Sequence, residues 1–249
     1  MFAEIVSDEF TAALDACAAD ILWETGITEP PIDAALVAQR LGLCVTENES
    51  MSHRGRFVRL ADEYGRAAGQ GTIVIGPAER PERREWAIAH EIGESVSYRV
   101  FANLGIRADT APHDAREEVA NHLATCLLLP RPWFHRDGQQ NNWDLAVLKV
   151  RYATASHELI ARRMLEMPPA IVITICDQGR VHWRRSNQPA RPPRLLPQEL
   201  DVWREAHEFG EPASAVLDPT ATGLESVRAW PIHEPSWKRE ILRSEIAEW

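Results

Sequence analysis

REWAIAHEIGES, residues 84–95, is the stretch from which the rest of the chain can be interpreted. It contains HEIGE, in which His90 and Glu94 are four positions apart. Such positions on an α-helix lie about 40° apart around its axis, so both side chains project from one face and can hold one ion. Glu91 lies about 100° further round, beside that face, where its carboxylate can take a proton from a metal-activated water.

The same spacing occurs in HExxH zinc peptidases, in which two helical histidines bind Zn²⁺ and the glutamate is the general base. Here Glu94 stands where the second histidine would be. A catalytic zinc site also needs a third protein ligand and an open position for water. The segment REEVANHLATCLLLP predicts a helix with Glu117 in its first turn, so Glu117 is the candidate third ligand, and Glu118 is its competitor. His113 and His122 lie four positions from one or the other of these acids, and we expect surface or capping roles for both.

A ligand set of His90, Glu94 and Glu117 neutralises a divalent cation, whereas a set with two histidines leaves it positive. Water at the neutral site is less acidic, which predicts slower hydrolysis or a different pH optimum. Zn²⁺ is the expected metal, and an oxygen-rich site also accepts Mn²⁺ or Mg²⁺. In the alternative without a metal, His90 and Glu94 form only a surface contact worth about 0.2–0.5 kcal/mol, and Arg116 is a possible partner of the acids.

The first two thirds of the sequence predict a mostly helical domain with a small β-sheet. Apolar periodicity predicts helices over residues 6–23 and 81–100, a short helix in EPPIDAALVAQRLGL and a helix from residue 114 to LLLP. Their expected caps and stops are Gly26, Asp33, Gly42, Asp114, Pro130 and Pro132. The β-rich runs LCVTE, GRFVRL and GTIVIG predict the sheet between residues 43 and 76.

Two more helices are predicted between residues 143 and 166, with Ser156 as the cap of the second. They are interpreted as an ordinary αα-hairpin, with a helix-turn-helix as the alternative. AIVITICDQGRVHWRRS then predicts a β-hairpin, and SNQPARPPRLLPQ a linker or long loop. A strand near SVRAWPI and a terminal helix in PSWKREILRSEIAEW complete an α+β appendix.

The charge balance and the cysteines limit the classes of function. The chain has 27 basic and 37 acidic residues and a net charge of −10, which disfavours nucleic acid as a partner. The arginine-rich stretch from Gln178 to Pro197, which includes Trp183, is interpreted as a solvated hairpin face. Four scattered cysteines indicate a reducing compartment. We expect a cytoplasmic protein with no membrane partner, because MFAEIVSDEF lacks a basic leader and no apolar run approaches about 20 residues.

Four segments in order carry a family resemblance: EPPID with LVAQRLGL, IVIG with RREWAIAHEIGES, EEVANHLATCLLLP, and DLAVLKVRYATASHELIARRM. Together, over about residues 10–166, they resemble the ImmA/IrrE family of metallopeptidases. The resemblance implies a zincin-like domain over residues 1–166, followed by an α+β appendix over residues 167–249. It assigns His90 to the first metal histidine, Glu91 to the catalytic base and Glu117 to the third ligand. Glu94 occupies the second metal position and departs from the pattern.

The resemblance implies a cytoplasmic metal-dependent endopeptidase that cleaves a protein substrate by metal-activated water. Family members cut helix-turn-helix transcriptional repressors and so relieve repression after DNA damage or another stress. Glu94 supports the alternative, a catalytically inactive member that acts as a regulatory protein-binding module. A third hypothesis is a DNA-binding regulator built on the helix pair over residues 143–166 and the arginines that follow it.

Overall fold

The computed structural model describes residues 7–51, 55–58 and 71–247 of the 249-residue chain. The chain divides into two compact units. Unit 1 runs to Asn142 and includes Lys149–Ser156, and unit 2 consists of Trp143–Leu148 and the chain from His157 onward. Helices and strands are both present, which confirms the predicted α+β class.

Unit 1 is built mainly from helices. They are α1 (Ser7–Glu24), α2 (Ala34–Arg40), α3 (Pro81–Asn103), a 3-10 turn (Ala108–Thr110), α4 (His113–Leu128) and α5 (Arg131–Gln140). The last helix, α6 (Leu145–Arg151), has residues in both units. The centre of unit 1 is the packing of α3 on α4, where Ile88, Ile92, Val119 and Leu123 are fully buried.

Among the described residues, the predicted small sheet has three strands, β1 (Cys44–Glu47), β2 (Gly55–Val58) and β3 (Thr72–Ile75), in the order β1-β3-β2. β1 is parallel to β3 and β2 is antiparallel to it. Ile73 and Ile75 alternate towards the interior, as expected for a half-buried strand. Both β2 and β3 contact α3. The sheet therefore covers the helix that carries HEIGE, although the end of the GRFVRL run lies outside the described residues.

The capping predictions for unit 1 have mixed outcomes. Asp33 caps α2 by accepting a hydrogen bond from the Leu36 backbone N–H at 2.9 Å, and Gly26 has the positive φ of a helix stop. The Asp114 cap is wrong, because α4 begins at His113 with Pro112 in the N-cap position. The fixed φ of proline positions the chain for a helix there, so no side-chain cap is required.

Helix α5 was missed for a related reason. The second of the two prolines expected to stop helix formation, Pro132, lies in the first turn of α5, and Pro130 precedes that helix. A first-turn position has no N–H partner within the helix, so proline fits there without loss. The prolines end α4 as predicted but also start its successor.

Unit 2 contains α7 (His157–Met164), α8 (Pro197–Phe209), α9 (Pro219–Thr222) and five strands. The strands are β4 (Ile171–Asp177), β5 (Arg180–Ser186), β6 (Ala213–Val216), β7 (Leu224–Glu234) and β8 (Trp237–Ile246). They form an antiparallel sheet in the order β5-β4-β8-β7-β6. Helix α8 packs on the sheet through Val202 and Ala206, which join Val227 and Leu242 in one apolar cluster.

The terminal helix predicted for PSWKREILRSEIAEW is wrong. Trp237–Ile246 is strand β8, paired on one side with β4 and on the other with β7. Residues of both faces are buried in its middle, including Ile241 and Arg243 on one face and Leu242 on the other. The position between two partner strands decides its conformation, because long-range pairing outweighs local helix propensity. The β4–β5 hairpin and the β7 strand are confirmed.

Helix α8 was also missed, since the proline-rich stretch that was interpreted as irregular ends in a helix start at Pro197. None of the helices among the described residues is long and apolar enough to span a membrane.

Candidate metal centre on helices α3 and α4

The close crossing of α3 and α4 depends on Gly93, the glycine of HEIGE. A Cβ at this position would lie 2.9 Å from the backbone oxygen of Ala120, closer than side-chain carbons normally approach. Only glycine allows the two backbones to approach this closely. The crossing places His90, Glu91 and Glu94 of α3 near Glu117, which lies in the second turn of α4 rather than in the first turn as predicted, because the helix begins at His113.

His90 and Glu117 face each other across this crossing. The Nε2 atom of His90 is 3.5 Å from Glu117 Oε2. Two ligands at about 2.0–2.2 Å from a tetrahedral Zn²⁺ lie about 3.3–3.6 Å apart, so this separation fits two ligands of one ion. The Trp86 ring stacks on the His90 imidazole at a centroid distance of 5.2 Å and holds its orientation. The remaining ring nitrogen, Nδ1, is buried and has no hydrogen-bond partner among the described residues.

Glu91 is a buried carboxylate, only 4% exposed, beneath strand β2. The backbone of Gly55 approaches it so closely that a Cβ there would lie 2.5 Å from Glu91 Oε1. The backbone N–H of Phe57 donates a hydrogen bond to the carboxylate. Glu91 Oε2 is buried and has no hydrogen-bond partner among the described residues, and the Glu91 carboxyl group also has a hydrogen bond with Glu94.

The pKa of Glu91 is raised to about 7, and burial is the largest cause. The charge of Glu94, the hydrogen bond with it and, to a smaller extent, the charge of Glu117 contribute to this increase, and the Phe57 amide opposes it. A carboxyl group with a pKa near neutrality suits a general base, because it can both accept and return a proton at physiological pH.

The predicted residues are thus brought together unequally. His90 and Glu117 are in ligand-like contact, whereas Glu94 is half-buried and hydrogen-bonded to Glu91. Glu118, the competing third ligand, is exposed to solvent. This difference favours Glu117.

The other polar groups near α4 have separate contacts. His113 Nε2 is 4.0 Å from Glu117 Oε1, but its side chain is mostly exposed. His122 packs edge-on against Phe10. Arg116, considered as a partner of the acids, donates to the backbone oxygen of Ala108 at 2.9 Å. A cation therefore remains the simplest compensation for the charge at the crossing.

A second group of potential ligands was not predicted from the sequence. Over residues 7–51, 55–58 and 71–247, one group of at least three such side chains has its donor atoms all within 4.8 Å of one another: His207, His233 and Glu240 of unit 2. These residues belong to three elements and have no local spacing motif. Only the pairing of the strands and the docking of α8 bring them together, so the sequence carried no signal for them.

Comparisons with known proteins add the following. The family model described as Peptidase M78, IrrE N-terminal-like domain, matches residues 38–165. Comparison with curated proteins gives no match. A solved structure, a Mycobacterium tuberculosis transcriptional regulator, is similar with a TM-score of 0.62 and 18% sequence identity, over 96% of this chain and 81% of that one. Similarity at this level of identity shows a shared fold.

Proposed function

The chain belongs to the Peptidase M78 family, and from this membership we propose that it is a metal-dependent endopeptidase that hydrolyses a protein substrate. The observation that carries the proposal is the 3.5 Å separation of His90 Nε2 and Glu117 Oε2 beside a buried carboxyl with a pKa of about 7. We assign the catalytic domain to residues 1–166 and an appendix to residues 167–249.

His90, Glu94 and Glu117 would hold the cation, which we expect to be Zn²⁺, with Mn²⁺ or Mg²⁺ as substitutes. When bound, the cation would acidify a water molecule and polarise the scissile carbonyl group. Glu91 would take a proton from the attacking water at Oε2, the oxygen that has no donor, and return it to the leaving amine. Burial under β2 keeps this carboxyl away from bulk solvent and in place for both transfers.

Glu94 has to release its hydrogen bond with Glu91 in order to act as a ligand. This exchange is favourable when a cation is present, because the cation attracts the negative charge of the carboxylates. Glu91 and Glu94 then no longer compete for one proton. The three ligands carry two negative charges in total, so the site should support slower hydrolysis than a site with two histidines.

The proposed substrate is a transcriptional repressor of the helix-turn-helix type, and the proposed location is the cytoplasm. The family resemblance supports this substrate. The similar fold of a transcriptional regulator from Mycobacterium tuberculosis is compatible with a role in gene regulation. The net charge of −10 favours contact with the repressor rather than with its DNA.

A second candidate function is that of an inactive, protein-binding regulator. The hydrogen bond between Glu91 and Glu94 favours it, because a pair of carboxyls that share a proton is a stable arrangement without metal. In this candidate the fold is retained for contact with a regulatory partner, and no peptide bond is cut.

Metal content and hydrolysis together separate the two candidates. Elemental analysis after equilibration with Zn²⁺ should show one equivalent more in the unmodified protein than in His90→Ala, and Glu118→Gln should match the unmodified protein. Hydrolysis of unfolded casein, used as a general probe, should be lost in Glu91→Gln with metal retained. Equal metal content in the unmodified protein and His90→Ala would rule out the peptidase and leave the regulator.

A further inference from the structure

Three elements of unit 2 bring two imidazoles to one buried carboxylate. His207 lies in the last turn of α8, His233 in β7 and Glu240 in β8. His207 Nδ1 is 2.9 Å and His233 Nε2 is 2.7 Å from the same oxygen, Glu240 Oε1. The three atoms form a compact group of the two donor types, imidazole nitrogen and carboxylate oxygen, that bind Zn²⁺ in proteins.

Glu240 needs positive charge nearby. Its side chain is 0% exposed, and the ion pairs that the structure describes for it are both with these histidines. A carboxylate removed from water is unfavourable unless a positive group compensates its charge. Two neutral imidazoles supply hydrogen bonds but no charge, and the Lys238 ammonium group, 3.3 Å from the backbone oxygen of His207, has no described ion pair with Glu240. A bound cation at the imidazoles would compensate the carboxylate directly.

We propose that His207, His233 and Glu240 form a second divalent-cation site, of the zinc-binding type, in unit 2. The ligand atoms are His207 Nδ1, His233 Nε2 and Glu240 Oε1. This group lies outside residues 38–165, which match the family, and is separate from the α3–α4 crossing.

The surroundings of the group suit a bound cation. The indole N–H of Trp203 donates to Glu240 Oε2 at 2.9 Å, which fixes the carboxylate with Oε1 towards the two imidazoles. His207 is in the last turn of the 13-residue helix α8, where the helix dipole attracts positive charge.

The site is also open enough to complete the coordination of a metal ion. The side chains of His207 and His233 are 37% and 21% exposed, so a water molecule can reach the group as a fourth ligand. Ligands of tetrahedral Zn²⁺ lie about 3.3 Å apart or slightly more. The imidazoles therefore have to move outward by about half an ångström, which partly exposed rings can do.

The test uses full-length protein that carries His90→Ala, so that the α3–α4 site does not contribute. Calorimetric titration with Zn²⁺ should give one bound ion in this background. Adding His233→Ala or Glu240→Gln should weaken binding by more than about 100-fold, since loss of a ligand exceeds the 10- to 100-fold effect of an outer-shell partner. Adding His182→Ala, which removes an exposed histidine of β5, should leave binding unchanged.

Trp203→Phe provides a finer test, because it removes the hydrogen bond to Glu240 but no ligand. Its Zn²⁺ affinity should fall by about 10- to 100-fold. Far-UV circular dichroism establishes whether each variant is folded. If the ligand variants fail to fold, zinc anomalous scattering from crystals of His90→Ala locates the ion without any change in the group.

Any of three results would overturn the proposal. His90→Ala protein that binds no Zn²⁺ would show that the three residues are not a cation site. An anomalous peak away from the three ligand atoms, or unchanged affinity in His233→Ala, would place the ion elsewhere. None of these results bears on the α3–α4 site, because that site is measured by the difference between unmodified protein and His90→Ala.

Discussion

Glu94 differs from the second histidine of HExxH motifs mainly in charge, because both side chains can bind a metal ion from this position. A glutamate oxygen binds Zn²⁺ at about 2.0–2.2 Å, much as an imidazole nitrogen does. In the structure this carboxyl group is hydrogen-bonded to Glu91 and raises its pKa. The single substitution therefore changes both the charge of the metal ligands and the proton affinity of the general base.

The first prediction concerns the variant Glu94→His, which reverses this change. Glu94→His removes the repulsion at Glu91, restores two imidazole ligands and should tighten Zn²⁺ binding about 10-fold or more relative to Mn²⁺. Competition with a metal chelator measures the change, with Glu94→Gln as the control that removes the charge without adding imidazole. Weaker Zn²⁺ binding in Glu94→His than in Glu94→Gln would show that residue 94 is not a ligand.

The second prediction concerns Asp137, a buried carboxylate that accepts hydrogen bonds from Arg151 Nε at 2.6 Å, Arg136 Nε at 3.0 Å and the Tyr152 hydroxyl at 3.0 Å. Burial raises the pKa of Asp137, but these hydrogen bonds outweigh it and lower the pKa below its usual value. Asp137→Asn should reduce the free energy of unfolding by about 2 kcal/mol at pH 7, since both arginines are partly exposed.

The sign of the pH effect follows from that lowered pKa. The stabilisation by ionised Asp137 is complete above the unfolded-state pKa of about 3.9 and is lost as the pH falls through the lower folded-state value. The difference between Asp137→Asn and the unmodified protein should therefore shrink below about pH 4. Urea unfolding at pH 7 and pH 3.5 measures it, and a difference that grows on acidification would contradict this account.

At the scale of elements, the crossing of α3 and α4 is the feature that assembles the site. Gly93→Ala should reduce the free energy of unfolding by about 1–3 kcal/mol, because the added Cβ meets the Ala120 backbone rather than a movable side chain. Alanine is intrinsically a better helix former than glycine by about 1 kcal/mol. A net loss of stability therefore has to come from the close contact between α3 and α4. The temperature of thermal unfolding and the Zn²⁺ affinity should both decrease.

A matched control for this prediction is Arg83→Ala, an exposed position on the same helix. Arg83→Ala should leave both the free energy of unfolding and the Zn²⁺ affinity nearly unchanged. Increased stability in Gly93→Ala, as helix propensity alone would give, would show that α3 and α4 do not approach each other so closely.

The outcome of sequence prediction also differs by element. The α3 helix, the three-stranded sheet and the β4–β5 hairpin were predicted correctly, because apolar periodicity and turn residues are local signals. Strand β8 was predicted as a helix, because its conformation depends on partners far along the chain, β4 and β7. Helices α5 and α8 were missed because their prolines were interpreted as stops rather than as first-turn residues.

The distinction between local signals and long-range contacts also applies to the two candidate sites. HEIGE identifies three neighbouring side chains on one helix, and the predicted start of the next helix, together with the resemblance, identifies Glu117. The contact between Glu94 and Glu91 was not foreseen in detail, since it depends on side-chain conformation and burial. His207, His233 and Glu240 could not be predicted, because the fold of unit 2 alone places them together.

At the scale of the whole molecule, the two units do not correspond to two continuous segments of the sequence. Trp143–Leu148 belongs to unit 2 although the chain then returns to unit 1. Leu145 and Leu148 are fully buried, and Asp144 accepts a hydrogen bond from the Trp230 indole at 3.4 Å. A fragment that ends at residue 166 therefore retains a segment whose partners have been removed.

We expect this fragment, residues 1–166, to unfold at a lower temperature than the full chain and to bind more of the fluorescent probe ANS, because the segment that contains the buried Leu145 and Leu148 loses most of the unit to which it belongs. Differential scanning calorimetry and ANS titration measure both quantities. Leu145→Ser/Leu148→Ser in the fragment should reduce ANS binding. A fragment that matches the full chain in both measurements would show that unit 1 needs nothing from unit 2.

The most direct test of the account is the position of zinc in crystals of the unmodified protein grown with excess Zn²⁺. The account predicts an anomalous peak at the α3–α4 crossing, about 2.0–2.2 Å from His90 Nε2 and Glu117 Oε2, with Glu94 turned from Glu91 to the ion. An empty crossing, with the carboxyl groups of Glu91 and Glu94 still hydrogen-bonded to each other, would contradict it.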